Sequence, residues 1–215
     1  VKLENQIYNA VRLPDDFNTF TLEQLTKQVL KPQAESIVDD IAAPLIAQMS
    51  AIATDVSIPA VAPDGSNITS VLIKARQVLN DRKVTMAGRT FAVGADIEAA
   101  ILSLPQLQKV NESGSSEVLR EATIGRLFGF NIVADQALAS DFGVAYHRDA
   151  FAHVTRPSRQ PEGAAKSATV AQDGYALRWI QHYNPLQLED QSVVDTFYGA
   201  TTLDADRAVS VTLAP

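Results

Sequence analysis

Thr21 to Ile52 carries the longest helical pattern in the chain, and that run limits what the rest can become. It opens with Thr21-Leu22-Glu23-Gln24, the spacing of a capping box, in which the Thr hydroxyl and the Gln side chain each satisfy a free backbone donor. Pro32 interrupts the pattern after one short helix. It fits the first turn of a second, longer helix, where its missing N–H costs nothing. From there Ile37, Ile41, Leu45, Met49 and Ile52 recur at helical spacing and draw one apolar stripe down a single face. Asp39, Asp40 and Gln48 fall off the stripe and can stay wet. Pro44 lies inside it, so a kink is expected where its ring removes a backbone hydrogen bond. At ~1.5 Å per residue, Pro32 to Ile52 makes a rod of about 30 Å. So long a helix with so narrow a stripe is expected to span a sheet or a neighbour instead of being engulfed by a core.

The chain has 215 residues, enough for a single fold with two lobes. Apolar residues make up 46% and charged residues 20%, the balance of an ordinary water-exposed globule. No run of eighteen apolar residues occurs, so no membrane span is expected. The chain begins with Val and shows no basic-then-apolar leader, which reads as a processed or trimmed start. With no Cys, disulfides and thiolate chemistry are excluded. A formal charge of −7 argues against a dedicated nucleic-acid binder, which would show a basic face.

Val1 to Leu13 reads as a strand: Val1, Leu3, Ile7, Val11 and Leu13 share one phase of a period-two pattern, closed by Pro14-Asp15-Asp16. After the helix pair, Ser57 to Ser66 is a Pro/Ala/Gly/Ser connector that suggests a lobe boundary. Asn67 is placed to cap a second helix bearing Ile68, Val71, Leu72, Ala75, Val78 and Leu79 on one face. Thr90 to Val93 is a short strand and Asp96 to Leu104 a short helix closed by Pro105. Asn111 to Ser116 is a polar loop, and Glu117 to Thr123 one or two helical turns. Gly125 to Ala134 turns the chain into a strand, with Gly125 and Gly129 permitting a tight approach or a bulge. Val144 to Tyr146 and Phe151 to Thr155 are short strands. Arg156 to Ser167 is a second connector. Tyr175, Leu177 and Trp179 alternate with Ala176, Arg178 and Ile180 as a half-buried strand; Ser192–Thr201 and Arg207–Leu213 are two more. The connectors predict a discontinuous lobe, 1–60 with 168–215, and a compact lobe, 61–167, inserted in it. Helices and strands without strict alternation predict an α+β fold.

Candidate chemistry is sparse. His147 and His153 share a strand-turn-strand, His182 ends the Trp179 strand, and none has the close spacing of a zinc site. His147-Arg148-Asp149 can be drawn as an acid–base cluster, but a charged turn with a local Arg–Asp pair accounts for it. No nucleophile elbow or phosphate-cradling loop is present, and Gly125-x-x-x-Gly129 leads into a strand where a pyrophosphate would need a helix N-terminus. Asn67-Ile68-Thr69 matches a glycosylation sequon but reads better as a cap. Glu189-Asp190 and Asp204/Asp206 read as solvated turn carboxylates, and Trp179 as a core or interface anchor. No catalytic, metal or cofactor-binding residue is assigned, and no cofactor is expected.

Two segments carry a resemblance. Ile124-Gly-Arg-Leu-Phe-Gly-Phe-Asn-Ile-Val-Ala-Asp135 and Val144-Ala-Tyr-His-Arg-Asp-Ala-Phe-Ala-His-Val-Thr-Arg-Pro157 resemble the major capsid (coat) protein of tailed bacteriophages, with its Hong Kong 97-type fold. The order of elements is similar from the extended loop onward. The Val1 strand resembles that loop's returning strand, and Thr21–Ile52 the long, kinked spine helix of the peripheral domain. Asn67–Pro157 resembles the axial domain, and Tyr175–Leu213 the returning peripheral strands. The N-terminal arm and the first half of the extended loop have no counterpart, so a chain of this extent is expected to stay monomeric or form small rings. No Lys–Asn isopeptide pair can be matched.

The resemblance implies a structural subunit that self-assembles into pentamers and hexamers, which close into an icosahedral phage or prophage head around double-stranded DNA. Its partners would be copies of itself, packaged DNA held only non-specifically, and possible scaffolding and decoration proteins, with no membrane. It would be made in the host cytoplasm and end in the virion. The polar 111–116 loop would lie near the ring centre, with Trp179 and Phe197 under the spine helix or at a seam. Two alternatives differ in class: the shell of a cellular nanocompartment of the same fold, and an enzyme whose site gathers His147, Asp149 and His182.

Overall fold

A computed structural model describes residues 1–3, 5–16, 25–104, 125–172 and 174–214. The capping box at 21–24, Pro105, the 111–116 loop and the 117–123 turns lie outside the described residues. The elements run β1 (Asn5–Pro14), a π-helical turn (Thr26–Leu30), α1 (Lys31–Ser50), α2 (Ile68–Asp81), β2 (Arg89–Val93), α3 (Ala95–Leu102), β3 (Arg126–Leu127), β4 (Phe130–Ala134), β5 (Phe142–His147), β6 (Phe151–Arg156), β7 (Lys166–Gln172), β8 (Tyr175–Asn184), β9 (Glu189–Thr202), a 3₁₀ turn (Ala205–Arg207) and β10 (Ala208–Thr212). The chain divides into two compact units of two segments each: Val1–Leu45 with Ala152–Thr201, and Ile46–Phe151 with Thr202–Pro215.

The first unit is a sheet ordered β1-β9-β8-β7, with β6 also paired to β9. β1 runs antiparallel to β9, Asn5 opposite Tyr198 and Pro14 opposite Glu189. β8 lies antiparallel on the other side of β9, Arg178 opposite Asp195. Because strand side chains alternate, one face collects Ile7, Tyr175, Leu177, Trp179, Val194 and Tyr198, and α1 lays Ile37 and Ile41 on that face. The helix stripe begins earlier than its apolar residues suggest. Val29 and Gln33 are buried at the same four-residue spacing ahead of Ile37. Pro32 sits in the first turn of α1, and the helix runs on through Pro44 to end at Ser50, leaving Ile52 beyond it.

The second unit is a sheet ordered β10-β5-β2-β4-β3, antiparallel throughout except for the parallel β2–β4 pair. α2 buries the whole predicted face, Ile68, Val71, Leu72, Ala75, Val78 and Leu79, in a cluster with Phe91, Phe130, Val209 and Val211. α3 adds Ile97, Ala100 and Ile101. Phe91 and Phe130 meet with ring centroids 6.3 Å apart at the parallel β2–β4 pair.

The unit boundaries differ from those drawn at the connectors. Residues 57–66 are tied into the second unit: Val61 is fully buried, its N–H donates to the Thr212 carbonyl at 2.8 Å, and its own carbonyl accepts from Ala214 at 2.7 Å. Pairing of β10 with β5 draws the last strand into the second unit, and pairing of β6 with β9 draws 152–167 into the first. The divisions therefore fall after Leu45, Phe151 and Thr201, where 60/61 and 167/168 were expected. A Pro- and Gly-rich composition marks irregular backbone here, without marking a loss of contact.

Candidate functional site

The residues that could have carried chemistry fall in both units: His147 and Asp149 in the second, His153 and His182 in the first. His147 is buried at the end of β5, where its Nδ1 accepts the Asp149 N–H at 3.2 Å. Asp149 also reaches Arg148 at 3.6 Å and Arg207 at 3.5 Å, which makes the expected charged turn. His153, in the first unit, packs on Tyr175 with ring centroids 5.8 Å apart, and its Nε2 is buried without a partner. Burial pushes its pKa down, with a hydrogen bond to the Ile41 backbone opposing. His182 lines a separate cavity of about 270 Å³ with Pro161, Ala164 and Ile180. Tyr175 and His182 stand at odd and even positions of β8, so His153 and His182 serve opposite faces of the sheet.

The carboxylates also resolve into structural roles. Glu189 and Asp190 open β9 and pair across both neighbouring strands, so the turn expected at that point is strand. Glu189 is buried and accepts from Gln191 at 2.9 Å. Asp204 accepts from the Asp206 N–H at 3.1 Å and from Arg207 at 2.8 Å, a turn as expected. Asn67 holds the N-cap position of α2 without capping it. Its Oδ1 accepts from Ala62 and its Nδ2 donates to Ala60, both at 2.8 Å, which fixes the preceding connector instead.

What the first unit builds is a pinned plate. On the helix face, Trp179 Nε1 donates to Ser192 Oγ at 2.9 Å, and that hydroxyl donates to Gln33 Oε1 at 2.8 Å. Gln33 Nε2 in turn donates to the carbonyls of Ser192 at 3.0 Å and Asn9 at 3.2 Å. One buried side chain of α1 thus fastens β1, β9 and, through the indole, β8. On the opposite face Arg178 grips Asp195 with two parallel bonds, 2.7 and 2.8 Å, and both are nearly enclosed. Ser158 adds a third donor to that carboxylate at 2.6 Å, and Arg178 also donates to the Arg159 carbonyl. The sequence reading missed Gln33, Ser192 and Asp195. Their signal was position: Gln33 on the apolar stripe, Ser192 and Asp195 inside a β-rich run.

The same plate keeps two open surfaces. Leu30, Ala34, Ala168, Val170, Leu177, Trp179 and Val194 line an apolar groove of about 310 Å³ beside β7, every residue of which is exposed. Trp179 lies on the α1 face as expected. Phe197 is not under the helix, which leaves the seam of the two places expected for it: it shares the Asp195 face and lines a cavity of about 560 Å³ with Leu3, Arg156 and Ser158. Among the described residues no group of His, Asp and Glu could hold a metal ion, and no helix is long and apolar enough to cross a membrane.

A long helix on one antiparallel sheet, with a second sheet-and-helix unit built from the chain's middle and end, defines an α+β protein. No family model matches the sequence, and no curated protein does. Solved structures do. A chain of Mycobacterium phage Che8 is similar over 97% of this chain and 71% of its own, with 18% identity and a TM-score of 0.73. The capsid of the cyanophage P-SCSP1u is similar over 97% of this chain and 72% of its own, with 13% identity and a TM-score of 0.67. The SrpI encapsulin of Synechococcus elongatus matches 97% of this chain and 73% of its own, with 13% identity and a TM-score of 0.52. The chain has the Hong Kong 97-type coat fold of tailed-phage shells.

Proposed function

We propose that this chain is a major capsid subunit of a tailed phage or prophage, whose copies ring into pentamers and hexamers and close around double-stranded DNA. What carries the reading is the extent of the likeness: nearly the whole chain is similar to chains of phage capsids. The first unit suits the role. The Gln33 and Asp195 networks hold helix and strands together from both faces, a firm platform on which to repeat contacts between copies. Its exposed β7 and apolar groove leave surface for heterologous contacts. We read the first unit as the peripheral domain and the second as the axial domain, and the protein as a building block without catalysis. An acidic chain fits loose contact with packaged DNA. Scaffolding and decoration proteins are further partners on this reading.

A nanocompartment shell is the second reading, favoured by the likeness to an encapsulin. Expression of the intact gene product, followed by electron microscopy and nuclease treatment, separates the two. Closed particles protecting DNA support the capsid, and closed particles filled with protein support the compartment. A product that stays monomeric at high concentration, alone and with the products of neighbouring genes, overturns both.

A further inference from the structure

Three arginines line one cavity in the second unit, and no carboxylate lines it with them. Arg76 of α2, Arg89 of β2 and Arg126 of β3 line a cavity of about 220 Å³, completed by Met86, Phe128, Gly129 and Phe130. Among the described residues none of the three forms an ion pair. Arg89 is only 4% exposed. Its Nε donates to the Thr85 carbonyl at 3.0 Å, and its Nη2 to Asn80 Oδ1 at 2.8 Å and the Val84 carbonyl at 2.6 Å, all neutral acceptors. Those bonds account for Arg89 as a stitch between α2 and β2. They do not account for two more arginines on the same cavity wall, since like charges repel and a buried cation without a counter-charge is costly. The repulsion registers on Arg89, whose pKa is lowered by burial and then by Arg76.

The lip of the cavity is strained as well. Leu127 and Phe130 pair across a two-residue turn whose central residues, Phe128 and Gly129, have φ of 47° and 90°. That is the left-handed pair of a type I′ hairpin, which favours Asn, Asp or Gly at its first position. A bulky aromatic there is unfavourable in itself. The turn directs the Phe128 carbonyl onto Arg76 Nη1 at 3.0 Å. A side chain at position 129 would press on the same guanidinium, because a Cβ built there falls 3.2 Å from Arg76 Nη1. The strain therefore sits where it holds Arg76 in place.

We propose that Arg76, Arg89 and Arg126 form a binding site for one phosphate group. A carboxylate offers two oxygens and one charge, enough for a single guanidinium fork; a phosphate offers more oxygens and up to two charges, and so engages several. The cavity is too small for a nucleotide. A nucleic-acid strand would insert one backbone phosphate and leave its bases outside, while inorganic phosphate would enter whole. The shell reading neither requires this site nor depends on it.

The test is a titration of the whole chain with inorganic phosphate at constant ionic strength, following the Gly129 amide and arginine Nε–H resonances by NMR. Sodium acetate, an unphosphorylated oligothymidylate and its 5′-phosphorylated form are run in parallel. Saturable shifts at these positions with phosphate, weakened about tenfold or more by Arg126→Gln, support the site. Arg126 is exposed, so that variant should fold; Arg76→Gln provides a second, with folding checked by circular dichroism. Equal shifts from the unphosphorylated oligomer identify a backbone phosphate as the natural occupant, and shifts only from the terminal phosphate or the free ion identify a monoester. No saturable shift with any phosphate, unchanged affinity in both variants, or acetate binding as tightly as phosphate overturns the proposal. The last result would point to an acidic side chain of a second copy.

Discussion

Replacing Gln33 with Leu tests whether the first unit is fastened by hydrogen bonds or by apolar contact. Leu keeps much of the volume and the helical preference, so packing and propensity change little. What disappears is specific: the Nε2 bonds to the Ser192 and Asn9 carbonyls, and the acceptor for the Ser192 hydroxyl. Ser192 is fully buried, so its hydroxyl has no water to turn to. Each of the two lost Nε2 bonds is worth about 1 kcal/mol and the stranded Ser192 donor costs about 1–3 kcal/mol, so the loss should be about 3–5 kcal/mol. Ser192→Ala alone leaves the Trp179 N–H without its acceptor and should cost about 1–2 kcal/mol. The two changes strike the same hydroxyl, so Gln33→Leu with Ser192→Ala should cost at least about 1 kcal/mol less than the sum of the singles. Urea unfolding followed by the fluorescence of Trp179, the only tryptophan, reads the effect where it arises. A single variant within about 0.5 kcal/mol of the parent, or strict additivity in the double variant, would refute the reasoning.

Asp195→Asn should cost about 3–5 kcal/mol in the same assay, because it leaves Arg178 charged and nearly enclosed without its counter-ion. Arg178→Lys should cost less but still measurably, since an ammonium cannot make both parallel bonds. His153 predicts a pH dependence: burial sets its folded pKa below the unfolded value of 6.5, so the unfolded chain binds more protons in acid. Its contribution is complete above about pH 6.5 and fades as the pH falls, and His153→Phe should flatten the drop in urea midpoint between about pH 7 and pH 5. An identical drop in that variant would assign the acid sensitivity elsewhere.

How far the sequence could be read depended on whether burial was apolar. α2 shows its whole buried face as apolar side chains, so the face was legible. The α1 stripe was legible from Ile37 onward, and its upstream half was hidden because Gln33 is buried for its hydrogen bonds, which periodicity in hydrophobicity cannot register. β7 was missed for a related reason. Lys166–Gln172 is exposed at every position and has no alternation to detect, yet Asp173-Gly174 after it is a strong hairpin signal, and Gly174 adopts φ of 86° at that turn. The arginine cavity was invisible because Arg76, Arg89 and Arg126 come from three separate elements, and only the hairpin brings the third to the first two. The compact units divide elsewhere than at the connectors because a connector can be irregular and still buried, as Val61 is.

The two units are held by different physics, and that predicts an order of unfolding. The second unit buries α2, α3, β2 and β10 in one apolar cluster with side chains at or near zero exposure. At about 25 cal/mol per Å² of apolar surface, such a core dominates its stability. The first unit has a thinner apolar contact, Ile37, Ile41 and Val194 at its centre, and its other buried side chains include Gln33, Ser192, Asp195 and Thr196. Its β8 is half-buried along nearly its whole length, and β7 is fully exposed. Urea weakens both terms, but a unit with less apolar area has less stability to lose. Trp179 fluorescence, reporting the first unit, should therefore fall at lower urea than hydrogen exchange at the β2 and β10 amides indicates for the second. Gln33→Leu should move the first transition and leave the second in place. Coincident transitions, or loss of protection in β2 before the fluorescence changes, would mean that the polar networks carry more of the fold than the apolar core does.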